Sequence, residues 1–190
     1  MIQWLEDFYG SDDMRDTLLR SFGPIFAAYA LDVWLAEGGI GQPPAPFVAG
    51  LVASYTDRHL GSSRAQLQEL LKQTDEAGAF DALRGRFDEW EEKRPAKVAA
   101  NETIRTGNAI AVERMRESGV EKMTWRASPG ACPFCNEIDG VIISVNGTFF
   151  NAGDTLNPEG VSAPINFESS IGHPPIHRGC VCAVESVTTE

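Results

Sequence analysis

The sequence predicts an α+β protein in which an N-terminal helical region with long helices, residues 1–119, precedes a small β-rich module, residues 120–190. Three observations carry that division. Up to Gly119, apolar residues recur at spacings of three and four, the period of helices that bury one face. After Gly119 the chain turns to Gly, Pro, Asn and β-branched residues, the vocabulary of short strands and turns. All four cysteines and two of the three histidines lie in that second part.

Asp12 to Glu37 reads as a helix. Gly23-Pro24 is expected to kink or break it, because proline lacks an N–H and glycine is flexible. Ile25, Phe26, Tyr29, Val33 and Trp34 then form an apolar stripe, and Gly38-Gly39 stops the helix. A proline-rich linker covers 38–46. Phe47 to Leu60 is predicted as a short apolar helix. Ser63 has the chemistry of an N-cap for the next helix, which carries Leu67, Leu70 and Leu71 and is expected to end at Gly78. Phe80, Leu83, Phe87 and Trp90 mark another.

Pro95 suits the first turn of a long helix, Ala96 to Ser118, and Gly119 suits its C-terminal stop. One face of that helix carries Asn101, Arg105, Asn108 and Val112, with Glu102 beside them. Two readings stand: a solvated face with a weak ion pair, or a polar strip of Asn101, Glu102, Arg105 and Asn108 on which the C-terminal module docks.

Lys122 to Ala127, with Trp125, is a predicted strand. In Val141 to Phe150, apolar residues flank Asn146-Gly147, which predicts a hairpin with a type I′ turn. Asn151 to Pro175 reads as a long loop, functional or held by a partner. Val181 to Val187 is the last predicted strand.

The 16 Lys+Arg against 27 Asp+Glu give a net charge of -11. That balance excludes a general binder of phosphate backbones, which draws its affinity from Lys and Arg, and disfavours an anionic membrane. The N-terminal residues have no basic segment or small-residue cleavage site of a secretory signal. The most apolar stretch, Phe26 to Leu35, is interrupted by Asp32 and falls short of the roughly 20 residues of a span. The expectation is a soluble cytosolic product, in which cysteines point to metal or redox chemistry more than to disulfides.

The cysteines fall in two groups. Cys132-Pro-Phe-Cys135 has C-x2-C spacing, and His177-Arg-Gly-Cys180-Val-Cys182 has H-x2-C-x-C spacing. Zinc takes four nitrogen or sulfur ligands in a tetrahedron, and a C-x2-C turn brings two thiolates to one ion. Four of Cys132, Cys135, His177, Cys180 and Cys182 would fill such a site, and spacing does not choose between Cys180 and Cys182. His173 is a weaker sixth candidate. The competing readings are a pair of disulfides, reduced cysteines in a small core, and redox catalysis. Cys132-Pro-Phe-Cys135 resembles a glutaredoxin active site, but that motif opens a helix, and Asp139-Gly140 follows here with no room expected for one.

Enzyme templates fail. The zinc deaminase pattern needs H-x-E upstream of its cysteines, and His59 is followed by Leu60-Gly61. His59 reads as a surface or partly packed residue. Phosphate-loop, nucleophile-elbow and zinc-protease motifs do not occur, and no pair of carboxylates stands out as acid and base. A zinc ion with all four positions filled by protein has no place for substrate, so a structural metal and no enzymatic activity are expected.

The order of these signals is itself informative. A helix with Ala100-Asn101-Glu102-Thr103 and Asn108 leads through Gly119-Val120 to Trp125. Cys132-Pro-Phe-Cys135, Ile138-Asp139-Gly140, a strand with Phe149, and Pro174-Pro175-Ile176-His177-Arg178-Gly179-Cys180-Val181-Cys182 follow. Over roughly residues 80 to 185 this resembles the phage head morphogenesis family, the minor head proteins like those of phages SPP1 and Mu. Many relatives end in His-Pro-Asn-Cys-Arg-Cys, so the Arg between the last two cysteines is absent here, and the segment before His177 is long.

The resemblance implies a structural minor capsid protein of a tailed bacteriophage, acting in head assembly at or near the portal. It implies portal or major capsid protein as partners, several copies per head, a link to DNA delivery or head assembly, and a place in the virion after assembly in the host cytoplasm; the acidic charge adds the expectation of no membrane and no strong contact with DNA. Trp4, Phe8, Tyr9, Phe22, Phe26, Tyr29 and Trp34 crowd the first thirty-five positions, which predicts part core and part protein interface there. Two alternatives from other classes are a zinc-dependent nucleic-acid-processing or toxin-like enzyme and a cytosolic zinc-containing adaptor. Against the enzyme, Lys122, Arg126 and Arg178 are the sole cations after Gly119.

Overall fold

The computed structural model describes residues 2–187 and bears out the α+β class: long helices come first, then a small sheet-containing region. The chain forms two compact units. One comprises residues up to 32 together with 41–99; the other comprises 33–40 and everything from residue 100 onward. The units therefore divide the chain differently from a boundary at 119/120. The last part of the long helix belongs with the β-rich module.

In the first unit, α1 (Ile2–Tyr9) and α3 (Ala45–Lys72) pack through Leu5, Leu67 and Leu71, joined by Ala79. Phe26 of α2 (Asp12–Ala36) packs with Val52 and Tyr55 of α3. His59 stacks on Tyr55, with ring centroids 5.6 Å apart. Burial and the nearby Arg94 charge hold its pKa below the ordinary imidazole value. Of the crowded aromatics, Phe26 and Trp34 are buried, whereas Trp4 and Phe8 are exposed.

Several expected breaks are absent. Ser63 does not cap a helix; it is buried in the middle of α3. The reason is a stripe of buried residues, Val52, Tyr55, Thr56, Leu60, Ser63, Leu67 and Leu71, that keeps helical spacing straight through Gly61-Ser62. Gly78 does not end α3. It leads into α4 (Ala79–Glu117), its N–H bonded to Asp75 Oδ1 at 2.9 Å. Pro95 lies inside α4 and Pro24 inside α2. Both prolines, and the residues four positions before them, Glu91 and Arg20, are exposed. Water can take the carbonyl that each proline leaves unpaired, so the helices continue. By length and composition α2, Arg20 and Asp32 included, is also long and apolar enough to cross a bilayer, a test that core helices of soluble proteins pass as well.

The predicted stops at Gly38 and Gly119 hold, by the same motif. Each glycine has a φ of 76°. Gly38 N–H bonds Leu35 O and Gly39 N–H bonds Trp34 O; Gly119 N–H bonds Arg116 O and Val120 N–H bonds Met115 O. These paired bonds satisfy carbonyls left open at a helix end and need the left-handed conformation glycine adopts without strain.

The second unit holds an antiparallel sheet ordered β2–β1–β5, with β1 (Lys122–Arg126) between β2 (Ile142–Ser144) and β5 (Ala183–Ser186). Met123 packs with Ala111, Val112 and Met115 of α4, while Trp125 enters a second cluster with Cys135, Cys180 and Cys182. The type I′ hairpin at Asn146-Gly147 is not formed. Gly147 N–H bonds Ser144 O at 2.8 Å, but neither residue has positive φ. β2 pairs with β1, and Phe149 and Phe150 bond to Ile171. The expected loop from Asn151 to Pro175 is partly structured. It contains the paired β3 (Thr155–Leu156) and β4 (Ile165–Asn166), and buries Leu156 and Phe167, with Phe150 stacked on Phe167 at 4.1 Å.

Candidate metal centre

The two cysteine-bearing segments are set by the sheet. Between β1 and β2 the chain loops out as 127–141. Asp139 Oδ1 accepts the Ala127 N–H at 2.8 Å, Gly140 N–H bonds Trp125 O at 2.9 Å, and Gly140 takes a φ of 76° to turn back. That clasp fixes the ends of the loop that carries Cys132 and Cys135. Cys132 caps α5 (Pro133–Glu137), with Pro133 at the first helical position and Asn136 N–H bonded to Cys132 O at 3.0 Å. The sequence reading left no room for this helix, so its ground for setting aside redox catalysis is overturned. Five residues suffice for one turn.

The second segment runs from the cis Pro174–Pro175 bond to β5. Cys180 N–H bonds His177 O at 3.3 Å, closing a turn, and Gly179 takes a φ of 78° within it. Cys182 leads into β5, where Asn108 of α4 holds it. The Asn108 amide donates to Cys182 O at 3.1 Å and to Ile104 O at 2.9 Å, and accepts the Val184 N–H at 3.0 Å. Asn108 thus ties α4 to the last strand of the module. Asn101, Glu102 and Arg105 are half-buried, with Arg105 and Glu102 paired at 3.8 Å.

The sheet brings together five of the six predicted donors. Cys132 Sγ lies 3.0 Å from His177 Nε2, Cys135 Sγ lies 3.4 Å from the same nitrogen, and Cys135 Sγ is 3.6 Å from Cys180 Sγ. The donors form two overlapping groups, Cys132, Cys135 and His177, and Cys135, Cys180 and Cys182, each with atoms within 4.8 Å of one another. Tetrahedral coordination at ~2.3 Å from sulfur and ~2.0 Å from nitrogen separates donors by about 3.5–3.8 Å. The separations of 3.0–3.6 Å lie near or below that spacing, and the two groups share Cys135, so the cluster could hold an ion. His173 stands outside both groups, with its Nδ1 against Pro174 O at 2.7 Å.

The orientation of His177 fits that role. Its Nδ1 donates to Arg178 O at 2.8 Å, which leaves Nε2 facing the two sulfurs. A carbonyl on the far nitrogen is the usual way a ligating imidazole is fixed.

The titrations describe one arrangement of charge. The hydrogen bond between Cys135 and Cys180 is the largest influence on both. It holds the Cys135 thiol protonated, helped by burial, and lowers Cys180 to about 5, helped by the Cys182 and Ile176 backbone against burial. Burial acts to raise Cys132, but Cys135 hydrogen bonds and the His177 charge outweigh it and the pKa falls. Burial acts to lower His177, but the Arg178 carbonyl and the Cys132 thiolate outweigh it and the pKa rises. A divalent cation would take over the stabilising part these protons play, displacing those on Cys135 and His177. The four cysteines are unbridged. Soft thiolate donors of this kind select soft or borderline metal ions.

Comparison with known protein families, with curated proteins and with solved structures finds no match for the chain.

Proposed function

We propose that the chain is a structural minor head protein of a tailed bacteriophage. Its helical unit contacts portal or capsid subunits, and zinc staples the C-terminal module into a rigid contact surface without catalysis. The observation that carries this reading is the convergence of Cys132, Cys135, His177 and Cys180 at 3.0–3.6 Å from segments forty-odd residues apart. These are the residues on which the resemblance to the head morphogenesis family rests. Zinc suits three or four thiolates with one imidazole. A module with strands of two to five residues gains from such a staple.

The role of zinc is structural in this account: the ion would supply a fixed crosslink, and the protein residues supply everything else. His177 presents Nε2, Asp139 and Gly140 set the first cysteine loop, and Asn108 anchors the second segment to α4.

For the partner, the exposed ring pair Trp4 and Phe8 on α1, stacked at 5.1 Å, offers a protein-binding surface. Deleting residues 1–38 would be a poor test, because Leu5, Phe26 and Trp34 belong to the buried core. The double variant Trp4→Ser, Phe8→Ser leaves that core in place. Heads assembled with it should lack the protein on a blot, while heads assembled with the wild-type chain contain it. Absence of the wild-type protein from heads, portal and capsid subunits alike would reject the proposal.

A further inference from the structure

We infer that the metal ligands are Cys132, Cys135, His177 and Cys180, and that Cys182 is a core residue. This rests on reading the cluster as a metal centre. The two segments supply equivalent two-residue turns, C-x2-C and H-x2-C. The first is backed by Asn136 N–H to Cys132 O, which spans one helical turn of α5, and the second is closed by Cys180 N–H to His177 O. Such a turn aims the side chains at its two ends toward one point, so the pair of turns provides four donors. Cys182 lies beyond the second turn.

The contacts agree. The links from Cys132 to His177, from His177 to Cys135, and from Cys135 to Cys180 run through all four at 3.0–3.6 Å. Cys180 and Cys182 both share the wider 4.8 Å group with Cys135 and both stand outside the group holding His177, so the choice rests on the direct Cys135–Cys180 contact and on the backbone. The backbone separates the two candidates further. Gly179, with its φ of 78°, sits just before Cys180, within the turn. Cys182 is fixed by Asn108, which accepts from Val184 N–H and donates to Cys182 O. Its side chain is buried in the same cluster as Cys135 and Cys180, with Trp125, Ile138, Leu156 and Phe167. Cys180 has still to close on Cys132 and His177, and it sits in a turn free of the Asn108 bonds that hold the Cys182 backbone to α4.

The decisive experiment is NMR of the full wild-type chain loaded with NMR-active cadmium. Through-bond couplings should run from the metal to the β-protons of Cys132, Cys135 and Cys180 and to the His177 ring, with none to Cys182. A coupling to Cys182, or none to Cys180, overturns the assignment. A wild-type chain that takes up no metal overturns the underlying reading and this one with it. Variants give a second readout with cobalt as probe. Cys182→Val, which keeps an apolar side chain, should bind one cobalt per chain with unchanged sulfur-to-cobalt charge-transfer absorption. Cys180→Ser should lose about a third of that absorption, one thiolate of three. Its affinity should fall by more than the roughly 100-fold cost of losing an outer-shell partner. Equal loss in both variants would count against the assignment.

Discussion

Asn108 makes three hydrogen bonds beside the candidate metal centre. It is 8% exposed and joins α4 to both sides of the Cys182–Val184 stretch. Asn108→Ala would leave Cys182 O and Val184 N–H buried without that partner. Each such group costs on the order of 1–3 kcal/mol, so a loss of about 2–3 kcal/mol is expected in urea unfolding of the metal-loaded protein. A loss below about half a kcal/mol would mean water or a neighbour replaces the amide. The helical spacing of the polar strip was legible in the sequence. That Asn108 would be the member to reach the last strand was not, because periodicity gives a face and says nothing of which partner meets it. The donor residues were the most legible feature, since metal ligation ties residue type to spacing. The inferred choice between Cys180 and Cys182 joins that spacing to the turn His177–Cys180 forms and to the Asn108 bonds beside Cys182.

Helices were read from their ends, and that is where the reading failed. Ser63, Pro24 and Pro95 were read as breaks or starts, yet α3, α2 and α4 run through them, and Gly78 lies between α3 and α4 instead of at the end of α3. Packing outweighed propensity: the buried stripe of α3 keeps its period across Gly61, and both prolines face solvent. Gly38 and Gly119 were legible because the helix really ends there in a conformation that favours glycine. In the sheet region, Asn146-Gly147 predicted a type I′ hairpin; a turn is there, but without positive φ, and Phe149 and Phe150 bond to Ile171. A proline in an exposed helix interior costs about 3 kcal/mol, offset by up to about 1 kcal/mol from the stiffer unfolded chain. Pro95→Ala should therefore stabilise the protein by about 2 kcal/mol in chemical unfolding followed by helix dichroism. Destabilisation would show that α4 depends on the bend at Pro95.

At the scale of the molecule, the α+β class follows from a change of character that composition makes plain, but the compact units do not coincide with it. Residues 33–40 and the end of α4 associate with the β-rich region. Here the Trp34 ring lies under the Arg114 guanidinium at 5.6 Å, and Arg114 also donates to Gly38 O at 3.2 Å. Nothing in the sequence before Gly119 distinguishes those residues from their helical neighbours. The unit they join has a core in which Cys135, Cys180 and Cys182 are themselves buried members. Its integrity should then depend on what binds the sulfurs. The most direct test is amide hydrogen exchange of the zinc-loaded protein before and after removal of the metal by a chelator at neutral pH. We expect about one zinc per chain at the start. On its removal, exchange protection should be lost across β1, α5 and β5, while α1 and α3 keep theirs. Unchanged protection in β1 and β5 after complete removal, or a protein purified with no metal and a fully protected sheet, would contradict the account.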